Sequence, residues 1–372
     1  MNMRVLFVEH KTIFGGGQVA LLNLLTQWQN SRMPIEPRVI CSPQAKLVPR
    51  VRALNIACEA IELGAIEKTR GGAWNLTQRV APTARLLQTI QRTRPYALVA
   101  NGAYSFLASM FAAKLARIPI LWWEHNTTLP NDAWLKRMIT AADRIVVVSA
   151  AIEQQFVELV PHARKKISVI HNGIDTQKFF PMRDARLVKR RELGWDDGVC
   201  VVGTVSRLSP EKGIEYFVDA AHEILRHSPD VRFLIVGDGP LRQELEQRAQ
   251  SNAIRFVDAQ EKVAAWLNAM DVFVIPSLAE GLPLAALEAM ACELPVVASD
   301  VGGLREVVVQ NETGLRVAPR EADQIVRAVL ELLRDRTRRC AFGKAGRARV
   351  ENYFRLEQQA RSMFEAIDSA PL

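Results

Sequence analysis

Glu280 and Glu288 lie in the segment AEGLPLAALEAMA at 279–291, with seven residues between them around a Gly-Leu-Pro turn. Gly281 frees the backbone, Pro283 suits the first position of a helix, and Leu284 to Met290 is strongly helix-forming, so the segment reads as a loop followed by a helix. Glu280 then sits on the loop and Glu288 about two turns into the helix. Ala285, Ala286, Leu287, Ala289 and Met290 surround Glu288 with apolar neighbours, and a carboxylate in that setting is costly unless something ligates it. The plain alternative is an exposed or ion-paired helix glutamate, which the spacing alone does not exclude.

Four other short segments combine reactive side chains with strand ends. Gly15-Gly16-Gly17-Gln18 follows an apolar strand and opens a helix, where bare glycine backbone lets N–H groups approach an anion; an ordinary tight turn would look the same. Glu124-His125-Asn126 follows the apolar run at 118–123, and a histidine there is either a structural hydrogen-bonder or a group facing a ligand. In Ser206-Arg207-Leu208-Ser209-Pro210-Glu211-Lys212-Gly213, two cations five residues apart on one strand-to-helix loop can clamp a diphosphate, Arg207 as a planar fork and Lys212 as a point charge. A solvated loop with an ion pair to Glu211 competes with that reading. Asp300-Val301-Gly302-Gly303 precedes a helix carrying Arg305 and Glu306 and falls beside the Glu280 loop in strand order.

The elements that must position these groups alternate. Strand-like runs near 3–8, 37–41, 57–61, 97–100, 118–123, 144–149 and 167–171 are separated by helical stretches such as 18–30, 74–93 and 104–117. A second series follows near 199–205, 231–236, 254–258, 271–276, 295–299 and 315–318. Such alternation gives an α/β fold of parallel sheets covered by helices on both faces. Asn172-Gly173-Ile174-Asp175 marks a turn between the halves, and the polar stretch to Asp197 resembles a linker. The expectation is two doubly wound, Rossmann-like domains facing a cleft, 1–172 and 173–354. Ligands of such sheets bind beyond the carboxyl ends of the strands, where the motifs above fall.

The chain has 372 residues, long enough for two cores. No charged n-region with a cleavage site opens it. The uncharged run at 96–113 has about the 18 residues of a minimal membrane span, but Asn101 and Gly102 divide it into a short strand and a helix. Cys41, Cys58, Cys200, Cys292 and Cys340 form no Cys-x-x-Cys pair, so neither a zinc site nor a disulfide framework is indicated and a reducing cytoplasm fits. Residues 1–175 hold 21 Lys and Arg against 11 Asp and Glu, a net +10, whereas the remainder holds 27 against 29, a net −2. That asymmetry favours an anionic partner for the first half: a membrane surface, a phosphorylated acceptor or, last, nucleic acid, because no aromatic residues interleave with the charges.

Together the motifs are far more specific than any one alone. The chain resembles the GT-B retaining glycosyltransferases of glycosyltransferase family 4, on GGGQ at 15–18, EHN at 124–126, VVVS at 146–149, HNGID at 171–175, SRLSPEKG at 206–213, VGDGP at 236–240, EGLPLAALEAMA at 280–291 and SDVGGLREVV at 299–308. The resemblance implies transfer of a sugar from a nucleoside-diphosphate donor, most often UDP-linked with GDP-mannose next, to a sugar or lipid-linked acceptor in polysaccharide, glycolipid or cell-envelope glycan synthesis. Glu288 is then expected to bind the donor ribose, Glu280 the transferred sugar, and Arg207 and Lys212 the diphosphate as charge builds on the leaving group, without a metal and with no cofactor. Gly15, Gly16, Gly17, Gly281, Leu282 and Leu284 are expected to complete the cradle, with His125 near the donor sugar. The first domain is implied to bind the acceptor, the second the donor, and a C-terminal helix at 355–372 to pack back on the first domain, with the turn at 172–175 and the region near Tyr353 as hinges of closure. The location implied is cytoplasmic, with peripheral contact to an anionic membrane through the basic half.

The sequence departs from the family pattern in places. Pro283, which lacks an N–H, stands where glycine is common; Asp258 stands where the strand before the base-binding loop usually ends in glycine, affecting contacts at Ala259 and Gln260; Asn101 replaces a common histidine; and Glu293-Leu294 replaces a glycine-containing turn. Two alternatives remain open: a GT-B nucleotide-sugar 2-epimerase, and a non-catalytic nucleotide-sugar-binding protein. An NAD-dependent dehydrogenase is weaker, because GGGQ lacks the fingerprint spacing.

Overall fold

The computed structural model describes residues 2–63, 77–127 and 132–371. Its chain forms two compact units, one of residues 1–173 and 356–372 and the other of residues 174–355.

The first unit carries a parallel sheet of β1 (Met3–Glu9), β2 (Ile35–Cys41), β3 (Ala57–Ala60), β4 (Ala97–Asn101), β5 (Ile120–Glu124), β6 (Arg144–Val147) and β7 (Ile167–Val169), in the order β3-β2-β1-β4-β5-β6-β7. Its central strands are apolar runs because helices cover both faces: every residue of β4 and β5 is buried, including Trp122 and Trp123. The strand order reverses between β1 and β4, so the crevice beyond their carboxyl ends is the switch point where such sheets take ligands. Helix Leu356–Asp368 belongs to this unit. Trp28 Nε1 donates to Ala360 O at 2.9 Å, the backbone N–H of Gly173 donates to Gln359 Oε1 at 2.8 Å, and Met363 and Ile367 are buried.

The second unit repeats the plan with β8 (Val201–Val205), β9 (Arg232–Val236), β10 (Ile254–Val257), β11 (Val272–Ile275), β12 (Val296–Ser299) and β13 (Gly314–Val317), ordered β10-β9-β8-β11-β12-β13 and all parallel. Its switch point lies between β8 and β11.

Two expectations change, and one contact is added that the sequence did not suggest. The polar stretch before Asp197 is not a free linker: it contains helix Arg183–Glu192, pinned to the second unit by a buried arginine. Arg190, 1% exposed, donates to Ala269 O, Val199 O and Asp271 Oδ2 at 3.0, 2.6 and 2.6 Å. A cation that satisfies several carbonyls and a carboxylate at once makes a polar helix part of the domain. In the added contact, Cys41 and Cys58, distant in sequence, lie on neighbouring strands with their thiols hydrogen-bonded, because parallel pairing sets Val39 beside Cys58. Both are free thiols. Secondly, helix Leu284–Ala291 starts one residue later than expected, and Pro283 is its extended N-cap with ψ 118°. The uncharged run at 96–113 is split between β4 and helix Ala103–Ala116 by Gly102 at φ +88°, and no helix of the described residues is long and apolar enough to cross a membrane. The expected helix at 74–93 is observed from Thr77 to Thr93, its first three positions lying outside the described residues.

Candidate functional site

In the second unit the loops that leave the two switch-point strands are tied by side chains. Beyond β8, the 3-10 turn Pro210–Lys212 ends at Gly213, whose φ of +61° suits glycine. A Cβ there would lie 2.3 Å from Pro276 O, so the absence of a side chain lets this loop press against the end of β11. The N–H of Leu278 donates to Glu211 O at 2.9 Å across the same junction. Lys212 Nζ thereby reaches Glu280 Oε1 at 2.6 Å, and Ser277 Oγ donates to the same oxygen at 2.6 Å. Glu280 and Ser277 are buried, so this is a desolvated, charge-assisted cluster that leaves Glu280 Oε2 for further donors. Arg207 is half-exposed and pairs with Glu211 on its own loop, with Ser209 Oγ 3.2 Å from its Nε. The solvated-loop reading therefore holds for Arg207 as the chain stands here, and not for Lys212.

Glu288 lies on the following helix among buried Ala286, Leu287, Ala289 and Met290. None of the described side chains hydrogen-bonds its carboxyl group. Burial pushes its pKa up to about 7, against a smaller opposing pull from Lys178. Gly281, Leu282 and Leu284 are buried around the turn that joins the two glutamates. The Asp300–Gly303 loop packs on that turn: the N–H of Gly303 donates to Glu280 O at 3.2 Å, and a Cβ on Gly303 would sit 1.9 Å from Gly281 O. On the other side of this loop, Asp300, Arg305 and Arg316 line a cavity of about 600 Å³, with Arg305 and Arg316 both paired to the Asp300 carboxylate.

The first unit has its own cluster at its switch point. Helix Gly16–Asn30 begins after Gly15, whose N–H donates to Gln18 Oε1 at 2.9 Å, so the fourth residue of GGGQ closes the cap made by the first. A Cβ on Gly16 would meet nothing within 4 Å, whereas one on Gly17 would press on the His125 ring at 3.2 Å. His125 stacks at a tilt 4.5 Å from Trp123, and its Nε2 lies 2.7 Å from Asn101 Oδ1. Burial, with a smaller contribution from the Lys11 charge, pushes the His125 pKa down to about 3, so the ring is neutral at physiological pH. Asn101, at the end of β4, donates through Nδ2 to Glu9 Oε2 at 2.5 Å and to Gly17 O at 3.2 Å. Glu9, at the end of β1 and fully buried, also accepts from the Lys11 N–H at 2.7 Å and from the Gln18 side chain. Its pKa is raised by burial, with these donors opposing the rise.

The structure thus brings Lys212, Glu280, Gly281, Leu282, Leu284 and Glu288 together in the second unit, with Arg207 on the neighbouring loop, and Gly15, Gly16, Gly17 and His125 together in the first. Sequence reasoning missed Glu9 and Ser277. A charged residue closing a wholly apolar strand, as in MRVLFVE, is the signal that could have found Glu9.

Two family models match the chain, one described as Glycosyltransferase Family 4 over residues 14–178 and one as Glycosyl transferases group 1 over residues 199–335. Over 250 residues the chain is 33% identical to the lipopolysaccharide core biosynthesis mannosyltransferase LpsB of Rhizobium meliloti, spanning 64% of this chain and 69% of that protein. The chain belongs to glycosyltransferase family 4. This family-4 enzyme is also 30% identical, over 74% of each chain, to the GDP-mannose-dependent monoacylated alpha-(1-6)-phosphatidylinositol monomannoside mannosyltransferase of Corynebacterium glutamicum. Among solved structures, Anabaena Alr3699/HepE in complex with UDP and glucose superposes with a TM-score of 0.87 over 99% of this chain and all of that one, at 21% identity. The architecture is GT-B, and the activity is glycosyl transfer from a nucleotide-sugar donor in glycan or glycolipid synthesis.

Proposed function

We propose that this family-4 glycosyltransferase transfers a sugar with retention of configuration from a UDP-sugar to a glycan or lipid-linked acceptor, the second unit holding the donor and the first the acceptor. The observation that carries the donor assignment is the Lys212–Glu280–Ser277 cluster at the switch point of the second unit, with the half-neutral Glu288 carboxyl one helix turn beyond the Glu280 loop. A ribose diol supplies the two O–H donors that Glu288 lacks. Glu280 Oε2 suits a hydroxyl of the transferred sugar. Lys212, and Arg207 once it turns from Glu211, supply the charge that a departing diphosphate needs, so stabilisation of the leaving group requires no metal in this reading. Attack on the face the diphosphate leaves, with that diphosphate taking the acceptor proton, leaves the protein to position and stabilise.

A second donor has specific support: curated relatives at 30% and 36% identity are named as GDP-mannose-dependent mannosyltransferases. Thermal stabilisation by a panel of UDP, GDP and ADP decides between them. The UDP reading expects the largest shift with UDP, and a larger shift with GDP would replace it. Nucleoside diphosphate release that depends on added acceptor separates transfer from a 2-epimerase or a binding protein. Glu280→Ala is expected to lower turnover at least about a hundredfold; wild-type turnover would remove Glu280 from the site.

For the acceptor, we propose a lipid-linked sugar at an anionic membrane, contacted peripherally. Helix Ala103–Ala116 of the first unit leaves Phe111 and Leu115 exposed at 43% and 68%, next to Lys114 and Arg117, and the unit carries most of the basic charge. Two relatives are named for acceptors that are phosphatidylinositol mannosides and one for a diphosphoundecaprenol-linked sugar. Flotation with anionic but not neutral vesicles is the expected result, and equal failure with both would leave a soluble acceptor.

A further inference from the structure

We infer that Asn101 and Glu9 are positioning residues that lock His125 as its Nε2–H tautomer, leaving Nδ1 as a bare hydrogen-bond acceptor. The inference rests on the reading of this cluster as part of the sugar-transfer site only for its purpose; the lock itself follows from hydrogen-bond accounting.

The accounting starts at Gly17. Its carbonyl oxygen can only accept, and it lies 3.2 Å from one terminal atom of the Asn101 amide. That atom is therefore the nitrogen. The opposite orientation would set Asn101 Oδ1 against both Gly17 O and Glu9 Oε2, an acceptor facing two acceptors, and protonating Glu9 would relieve only one of the two. With Nδ2 spent on Glu9 and Gly17, the oxygen of Asn101 is the atom 2.7 Å from His125 Nε2. An amide oxygen only accepts, so His125 Nε2 must carry the proton. Because the ring is neutral, Nδ1 then carries none.

Glu9 is held in turn. The Lys11 N–H fixes one oxygen at 2.7 Å, and the Gln18 side chain, which also caps the GGGQ turn, donates to the carboxyl group. The chain of contacts runs from the end of β1 through the end of β4 to the residue after β5, three neighbouring strands or strand ends of the sheet. His125 Nδ1 is buried without a partner among the described residues, and Trp123 Nε1, whose ring lies 4.5 Å away, is likewise buried without one. The locked tautomer leaves Nδ1 as a buried acceptor without a described partner on a ring packed against that of Trp123, whose own N–H is a buried donor without one. The other tautomer would present a second donor and oppose Asn101 Oδ1 with a lone pair. A hydroxyl, which both donates and accepts, is the chemical class that suits the locked form.

The test reads the proton directly and needs no substrate. Long-range nitrogen–proton correlation spectra at neutral pH resolve imidazole tautomers, and with six histidines in the chain the His125 signals are assigned by their loss in His125→Gln. The wild type is expected to show a neutral ring with the proton on Nε2 and a slowly exchanging imidazole N–H. Asn101→Leu, which removes the acceptor, is expected to lower the ratio of Nε2–H to Nδ1–H forms at least about tenfold and to lose the slow N–H. If Asn101→Leu does not fold, the wild-type spectrum carries the test by itself, because the position of the His125 proton is read there without any variant at Asn101. A wild-type proton on Nδ1, an imidazolium at neutral pH, or an unchanged spectrum in folded Asn101→Leu overturns the lock. The reading of the cluster as catalytic fails separately, if His125→Gln transfers sugar at the wild-type rate.

Discussion

Glu288 is a carboxyl group that the fold destabilises when ionised, and Glu288→Gln tests why it is there. Its pKa stands at about 7 in the folded chain, against 4.5 for an ordinary glutamate, because burial disfavours the charge more than Lys178 favours it. Between those values the folded state holds a proton that the unfolded state has released. Stability therefore falls as pH rises from 4.5 to 7 and is lowest above 7. At about 1.4 kcal/mol per pKa unit the ceiling is about 3 kcal/mol; the side chain is only partly shielded from solvent, so about 1–3 kcal/mol is the expected loss. Glutamine has the same shape and no titration. Urea unfolding of wild type and Glu288→Gln at pH 5 and pH 8 is expected to show the variant gaining about 1–3 kcal/mol on the wild type over that interval. Donor binding is expected to move oppositely: affinity for the stabilising nucleotide rises with pH through 7 in the wild type, as the carboxylate forms, and stays flat in the variant. Parallel stability curves for the two proteins would refute the argument from burial. A buried carboxyl group that no described side chain hydrogen-bonds, kept in a helix at a cost in stability, is what a ligand site, and not a core, would select.

Other sites give independent checks. Arg190→Met removes the donor shared by Ala269 O, Val199 O and Asp271, and is expected to destabilise the chain by about 3–5 kcal/mol in chemical denaturation, with Asp271 still held by Arg186. Gly303→Ala drives a methyl group into Gly281 O, so the Glu280 loop must shift; a stability loss of about 1–3 kcal/mol with at least about tenfold weaker nucleotide binding by calorimetry is expected. Glu293 holds φ at +61° in the turn after helix Leu284–Ala291, and Glu293→Gly is expected to raise stability by about 0.5–1 kcal/mol without changing turnover.

Much of the fold was legible because its period is simple. Apolar runs such as ALVA at 97–100 and VVAS at 296–299 alternate with helical stretches, and that alternation has one common solution, a parallel sheet covered on both faces. Arg190 shows where the reading failed: a polar, basic stretch looks like linker until its guanidinium is found buried under four carbonyls and a carboxylate. Glu293 shows a departure from the family pattern that the backbone absorbed, since the glycine-type conformation persists with a glutamate in it.

The sequence by itself determined which chemical groups stand at the strand ends, because motif order along the chain is the order in which strands deliver residues to one edge of a sheet. It placed Glu280 on a loop, Glu288 in apolar surroundings and Arg207 and Lys212 on a strand-to-helix turn. Only the tertiary structure decided who pairs with whom. Lys212 rather than Arg207 meets Glu280, because Gly213 lets its loop close on Pro276; Asn101 faces both Glu9 and His125, because β1, β4 and β5 are neighbours although 92 residues separate Glu9 from Asn101. Hydrogen bonds between side chains depend on distances of a few tenths of an ångström set by packing, and no pattern along the chain encodes those.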